Sequence, residues 1–213
     1  MGKGVGYNEL VAMLRAAIKQ VRDNQAMLSQ LDSVGGDGDH GTTMARAMAL
    51  VEKAIAACKK KDIKSLLNDV GWAIMGVDGG ATGPLLGTFF LGMATAMADK
   101  KPVDARGLAA LFEAGLAALQ KTTKAQVGDK TMMDALVPAV AALRAAAEAG
   151  QDVAACLAAA AAAADKGALS TKNFPARFGR AKNLGDRTIG HQDPGATSVW
   201  LILRGFAQAV AGA

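Results

Sequence analysis

Apolar residues recur along the chain at intervals of three and four, the spacing that gives an α-helix one buried face. Leu10, Leu14, Ile18, Val21 and Leu28, with Gln25 among them, line one face of a first helix. Met44, Met48, Val51 and Ile55 line a second, and Ile63, Leu66, Leu67, Val70 and Ile74 a third. A fourth carries Phe89, Met93 and Met97 behind Pro84, which a first helical turn tolerates because its missing N–H has no intrahelical acceptor there. Asp104 is placed to cap a fifth helix bearing Leu108, Leu111, Phe112 and Leu119. A sixth runs from about Thr131 to Ala149 with a bend expected at Pro138, a seventh starts near Asp152 and an eighth near Ala196. No strand pattern competes, so the reading is all-α: a bundle of eight amphipathic helices, antiparallel because most links are short.

Four links are longer, at residues 31–41, 78–83, 123–130 and 170–195. They follow helices one, three, five and seven. In an antiparallel bundle those junctions share one end, so the four loops are predicted to converge on one rim.

Composition supports this picture. The 213 residues are 51% hydrophobic and only 4% aromatic, with alanine supplying much of the apolar share. Alanine favours helix and lets helices approach closely. The length suits one domain over 1–213, with a core large enough to need no staple. Cys58 and Cys156, both in helical stretches, read as buried free thiols of a reducing compartment. No apolar run follows Met1, so no signal peptide is expected, and the alanine run at 158–164 reads as too short and weakly apolar for a membrane span. The expected location is the cytoplasm. The net charge of +5 lies in scattered lysines and short runs, Lys59–Lys61 and Lys100–Lys101, with no arginine stripe interleaved with aromatics. Neither nucleic acid nor a membrane is an expected partner.

The chemistry sits in the loops. Asp32, Asp37 and Asp39 lie within eight residues on a glycine-rich loop. Three carboxylates make a hard-oxygen site suited to Mg²⁺ or Ca²⁺; the spacing does not fit an EF-hand, and magnesium shared between carboxylates and phosphates fits best. The plain alternative is turn and cap residues. His40 can contact a phosphate, orient a ligand or cap a helix, and Thr42 and Thr43 are candidate caps for the next helix. With two histidines in the chain, a zinc site is not expected. Gly79-Gly80-Ala81-Thr82-Gly83-Pro84 opens a helix and offers backbone N–H groups as a phosphate cradle, though it lacks the lysine of a P-loop. Gly128-Asp129-Lys130-Thr131-Met132 opens another; Thr131 can cap it, and Met132 and Met133 can face an adenine ring or fill core. The last loop holds Arg177, Arg180 and Arg187, any of which can neutralise phosphoryl oxygens or be plain surface charge. Metal carboxylates, N–H cradles and an arginine together match a phosphoryl-transfer site, which needs positioning and charge neutralisation more than a nucleophilic side chain.

At these loops, and over essentially the whole chain, the sequence resembles the nucleotide-binding L subunit of bacterial dihydroxyacetone kinase and the C-terminal domain of single-chain dihydroxyacetone kinases. The motifs stand in the family's order: Gly36-Asp37-Gly38-Asp39-His40-Gly41, Gly79 to Pro84, Gly128 to Met132, and Gly190-His191-Gln192-Asp193-Pro194-Gly195-Ala196. The resemblance implies a closed barrel of eight antiparallel helices with ADP or ATP at one end. Asp32, Asp37 and Asp39 match the aspartates that hold two Mg²⁺ ions, and Arg180 the arginine near the phosphates; these four are the expected catalytic residues. His40, Thr43, Gly80, Ala81, Thr82, Gly128, Thr131, Met132, Arg180, Asp193 and Gly195 are the expected nucleotide contacts. The resemblance also implies a K subunit that carries dihydroxyacetone on a histidine. In the phosphotransferase-coupled version a phosphohistidine M subunit recharges bound ADP; in the ATP-dependent version, which can serve another short ketose, free ATP is exchanged. A non-catalytic nucleotide-binding regulator is the alternative of a different class. Two departures stand out: Ala181-Lys182-Asn183 replaces the family's small hydroxyl residue and tyrosine, and Gly36 replaces a bulky apolar residue, a change expected to loosen the metal loop.

Overall fold

A computed structural model describes residues 4–98 and 102–211, so the Lys100–Lys101 run lies outside the described residues. Helices α1 (Tyr7–Asp23), α2 (Gln25–Asp32), α3 (His40–Ala57), α4 (Ile63–Met75), α5 (Thr82–Ala96), α6 (Ala105–Gln120), α7 (Met133–Glu148), α8 (Val153–Ser170) and α9 (Pro194–Ala211) carry the fold. Among the described residues extended pairing is confined to one antiparallel bridge, Val5 with Val103, which fastens the chain start to the entry of α6. The ring closes: α1 packs on α3, then α4, α5, α6, α7, α8 and α9 follow in order, and α9 packs back on α1. This is the expected eight-walled barrel, with α1 and α2 forming one broken wall.

The break corrects the expectation of a single helix through Leu28. The side-chain amide of Asn24 donates to the Gln20 carbonyl at 2.8 Å, taking an acceptor that the helix ladder uses. The chain turns there (φ −109°, ψ 13°) and α2 restarts at Gln25. The predicted caps at Asp104 and Asp152 form: their carboxylates accept from the amides of Gly107 and Ala155 at 2.8 and 2.9 Å. The expected caps at Thr42 and Thr43 do not, because α3 already begins at His40 with Asp39 in the cap position.

The barrel interior is filled by a chain of edge-to-face rings, Phe89 on Phe112 and Phe112 on Phe206, with centroids 5.6 and 6.5 Å apart. Small residues set the wall spacing. Ala135, Ala139, Ala160, Ala164 and Ala168 are fully covered between α7 and α8. Gly167 on α8 lies against the Asp134 carbonyl of α7, where a Cβ would stand 2.0 Å from the oxygen. Pro138, four residues on, cannot donate to that carbonyl, so the helix passes through the proline and α8 closes on the freed oxygen. The stretch Val153–Asn173 is longer and more apolar than the sequence reading held; by length and composition it passes for a membrane span, with mean hydropathy 1.3. It stands in the barrel wall, packed on α7 and α9, with Cys156 and Leu157 fully buried.

Candidate functional site

The connections before α3, α5, α7 and α9 do meet at one end of the barrel, around a cavity of about 340 Å³. All four of those helices begin there, at His40, Thr82, Met133 and Pro194. Helix N-termini carry unpaired amides and the positive end of the macrodipole, so four of them around one cavity create a field that favours a polyanion. The volume is within the range that small-molecule sites occupy.

On one wall lies the metal loop. Asp32 is the last residue of α2, and its Oδ2 accepts from the His40 amide at 3.3 Å, so its charge sits on the first amide of α3. Gly38 turns the chain through a left-handed conformation (φ 76°) that brings Asp37 and Asp39 back towards Asp32. One carboxylate oxygen from each of the three lies within 4.8 Å of the others, a spacing that fits a shared divalent ion. Arg180 reaches across the mouth and pairs with Asp37. Its hydrogen bond holds the Asp37 carboxyl below the usual carboxylate range, and the same contact raises the arginine.

The two departures meet at this contact. A Cβ on Gly36 would stand 2.2 Å from Asp32 Oδ1, and one on Gly35 2.7 Å from the Ala181 Cβ. Gly36 therefore does not loosen the loop, as expected from sequence; it makes room for the Asp32 carboxylate to fold over the backbone, whose Gly36 amide donates to the Asp32 carbonyl at 2.6 Å. Gly35 and Ala181 let the Arg180 loop lie directly on the metal loop. Lys182 and Asn183 are exposed beyond it.

Behind the metal loop His40 is buried, with Nε2 2.8 Å from the Ser198 hydroxyl of α9. Burial pushes its pKa down, so the imidazole is neutral near pH 7. Thr43 is buried beside it, and its hydroxyl accepts from Arg46, which also donates to the Asp78 carbonyl at 3.1 Å. That pair holds the Gly79–Gly80 turn, where both glycines have positive φ (125° and 61°) and lead into Thr82 at the start of α5.

The opposite wall is built from buried polar groups. Asp134, 1% exposed, accepts from the amides of Gly128 and Thr131 at 2.6 and 2.7 Å and so shapes the turn into α7. The helix starts at Met133, one residue beyond an ordinary Thr131 cap, and the Thr131 hydroxyl accepts from the Met133 amide at 3.2 Å. Asp193 caps α9 through the Ala196 amide at 2.7 Å, and its own amide donates to Thr171 Oγ1 at 2.9 Å. Burial of the carboxyl pushes the Asp193 pKa up to about 7.

Of the residues expected from sequence, Asp32, Asp37, Asp39, His40, Thr43, Gly80, Ala81, Thr82, Thr131, Met132, Arg180, Asp193 and Gly195 all line the cavity. Gly128 is not among the lining residues; its amide is spent on Asp134. Arg177 and Arg187 also lie off the wall, Arg177 within 3.7 Å of Asp129 and Arg187 on the Leu184 carbonyl. Sequence reasoning missed Arg46, Asp134 and Thr171, and gave Lys130, quoted within its motif, no role of its own. Asp134 had a signal: a charged residue between Met133 and Ala135-Leu136, on the apolar side of a helix start.

An all-helical barrel with three converging carboxylates under four helix N-termini defines a helical protein with a candidate site for a divalent ion and a polyanion. Residues 34–208 match the DAK2 domain, and the chain belongs to that family. It is similar to the ADP-binding subunit DhaL of the PEP-dependent dihydroxyacetone kinase of Escherichia coli K12, 41% identical over 182 residues that cover 85% of this chain and 87% of that one. It is 38% identical to the ADP-binding subunit DhaL of PEP-dependent dihydroxyacetone kinase 1 of Listeria innocua, across 89% of this chain and 90% of the other. Among solved structures, the dihydroxyacetone kinase of C. freundii in complex with AMP-PNP and Mg²⁺ superposes with a TM-score of 0.68 at 27% identity over 93% of this chain. The chain spans about a third of that larger protein, 33% of its length. The kinship read from the loop motifs therefore stands.

Proposed function

We propose that this chain is the ADP/ATP-binding, phosphoryl-transferring subunit of a dihydroxyacetone kinase, acting in the cytoplasm as one nucleotide domain over residues 1–213. The observation that carries the reading is the carboxylate triad facing Arg180 at the mouth of a cavity ringed by four helix N-termini. Asp32, Asp37 and Asp39 hold Mg²⁺, two ions in this reading, which neutralises phosphate charge when bound. The amides at the starts of α3 and α5 take phosphate oxygens, with Thr82 and Thr43 alongside. The Gly128–Met132 turn, Asp193 and Gly195 hold the nucleoside. Arg180 leaves Asp37 for the transferring phosphoryl group and meets the charge that develops on it.

The acceptor is dihydroxyacetone on a separate K-type subunit. The terminal phosphoryl passes to a hydroxyl oxygen, and the hydroxyl proton goes to a base on that subunit. In this reading the carboxylates and Arg180 at the cavity mouth are taken up by metal and phosphates, and the base for the sugar hydroxyl belongs to the K-type subunit. The rim suits docking: of the six exposed large hydrophobic side chains among the described residues, Val34, Val127, Leu169, Phe178 and Ile189 lie on or beside this end. Closure of a partner over it excludes water from the phosphoryl group. The names of the E. coli and L. innocua relatives favour recharging of ADP in place by a phosphohistidine M subunit over exchange of free ATP. The test incubates the chain with Mg²⁺, ATP and dihydroxyacetone, then adds a K-type subunit, then a phosphohistidine donor with ADP in place of ATP. Product is expected only with the K-type subunit, and over many turnovers with the donor. Multiple turnover by the lone chain defeats the proposal.

A further inference from the structure

Lys130 is the least expected residue of the site. It is 6% exposed and adopts a left-handed backbone (φ 59°), a conformation that costs a residue with a long side chain. The ammonium donates to the carbonyl of Thr171 at 2.5 Å and to the carbonyl of His191. Thr171 is the C-cap of α8, where the helix dipole is negative and a cation is favoured. His191 stands two residues before the cap of α9.

Those two carbonyls are the two ends of one loop. Between them run Phe178, Arg180 and Ala181. The same neck is crossed by the Gly190 amide on the Lys172 carbonyl at 2.7 Å and by the Asp193 amide on Thr171 Oγ1. The segment is thus a long loop closed at its base, tied to the turn before α7 by the Arg177 amide on the Asp129 carbonyl at 3.1 Å, with its tip lying on the metal loop. The tip holds the arginine that reaches the metal loop. Burial lowers the pKa of Lys130, and Asp193 and Asp134 oppose that by attraction.

The geometry points to Lys130 as a positioning residue that clips the neck of the Arg180 loop to the turn opening α7, so that the nucleoside side of the cavity and the phosphate-side arginine are held in one register. The role rests on the nucleotide-binding reading above. Lys130 touches no reacting atom; it acts through the two carbonyls. A methionine fills the same volume without the ammonium and leaves both carbonyls without their donor. Loss of the two charged donors is expected to read as a change of about tenfold or more.

The test compares the unmutated chain with K130M and K130R. In K130M, hydrogen exchange at the Gly190 and Asp193 amides is expected to accelerate about tenfold or more, with α1 and α5 protected as before. Affinity for Mg-ADP by calorimetry should fall by a similar factor, and K130R, which keeps a buried cation, should restore part of it. A merely structural lysine would lower protection across all helices together. Unchanged neck exchange with unchanged Mg-ADP affinity overturns the role, as does a uniform loss of protection. Should K130M fail to fold, the unmutated chain without nucleotide decides: Gly190 and Asp193 amides protected like the ends of α8 and α9 support the clip, and unprotected ones overturn it. If the unmutated chain binds no Mg-ADP, the nucleotide reading fails, and the exchange result still judges the clip by itself.

Discussion

The two walls of the cavity are built on opposite principles. On the metal-loop side Asp37, Asp39 and Arg180 are exposed, and Arg180 is held by Asp37, a charge on a neighbouring loop. On the other side Lys130, Asp134 and Thr171 are buried and cross-bonded to backbone groups of three segments. Exposed charges exchange partners at small cost, whereas buried polar groups lose full desolvation energy when a partner leaves. The exposed wall is therefore free to exchange partners, while the buried wall is held fixed.

The largest effect should come from the exposed wall. Asp37→Ala or Asp39→Ala leaves two carboxylates for a doubly charged ion. Affinity for ADP in Mg²⁺ should fall by on the order of 10²-fold or more, while circular dichroism keeps its helical signal, because neither side chain supports the barrel. Calorimetry that finds ADP affinity intact in both variants removes the metal assignment. Next is Arg180→Met. An arginine that meets charge developing in the transition state should lower phosphoryl transfer in the assembled kinase about 10²-fold and leave Mg-ADP affinity within about threefold. Loss of binding and transfer in equal measure would instead make Arg180 a ground-state contact.

What could be read from the chain divides along the same line. The convergence of the exposed wall was legible because three aspartates stand within eight residues on one glycine-rich loop. The eight-walled ring was legible because apolar spacing gives helix count, and helix count places alternate loops at one end. The break at Asn24 was not, since the apolar face continues across it to Leu28 while the Asn24 side chain bonds the Gln20 carbonyl and its amide turns to Val21. Nor was the buried wall. Lys130 stands between Asp129 and Thr131 in a polar loop, and nothing in that pattern says that a left-handed turn sends it inward. Gly36 misled in the same way, because the space it leaves is filled by a side chain four residues earlier, Asp32.

The buried wall should answer in stability rather than in rate. Asp134→Ala strands the Gly128 and Thr131 amides, and unfolding in urea should show a loss of roughly 2–3 kcal/mol. Asp134→Asn keeps one acceptor oxygen and should lose about half of that. A surface-like change below about 0.5 kcal/mol would mean that water replaces the carboxylate and that the turn is not built on it.

The smallest effect is a pH dependence carried by Asp193. Its carboxyl has a pKa of about 7 in the folded chain against 3.8 when unburied, because burial penalises the charged form more than the Ala196 amide and Lys130 favour it. The folded state therefore binds the proton more tightly than the unfolded state does. Between the two values the unfolded chain has already released it, so stability falls as pH rises from about 4 to about 7 and is level, for this group, above that. Asp193→Asn cannot titrate, and its amide oxygen can still accept from the start of α9. The variant should match the parent near pH 4 and gain on it steadily as pH rises to about 7. The groups facing Asp193 are Lys130 and Asp134, and both are present in the two proteins, so their titration cancels to first order. Urea unfolding of parent and variant in nucleotide-free buffer at half-unit steps from pH 4.5 to 8 measures the gap. Parallel curves would show that the carboxylate is held ionised by Lys130 throughout, and the buried wall would then be an ion pair rather than a proton-sensitive contact.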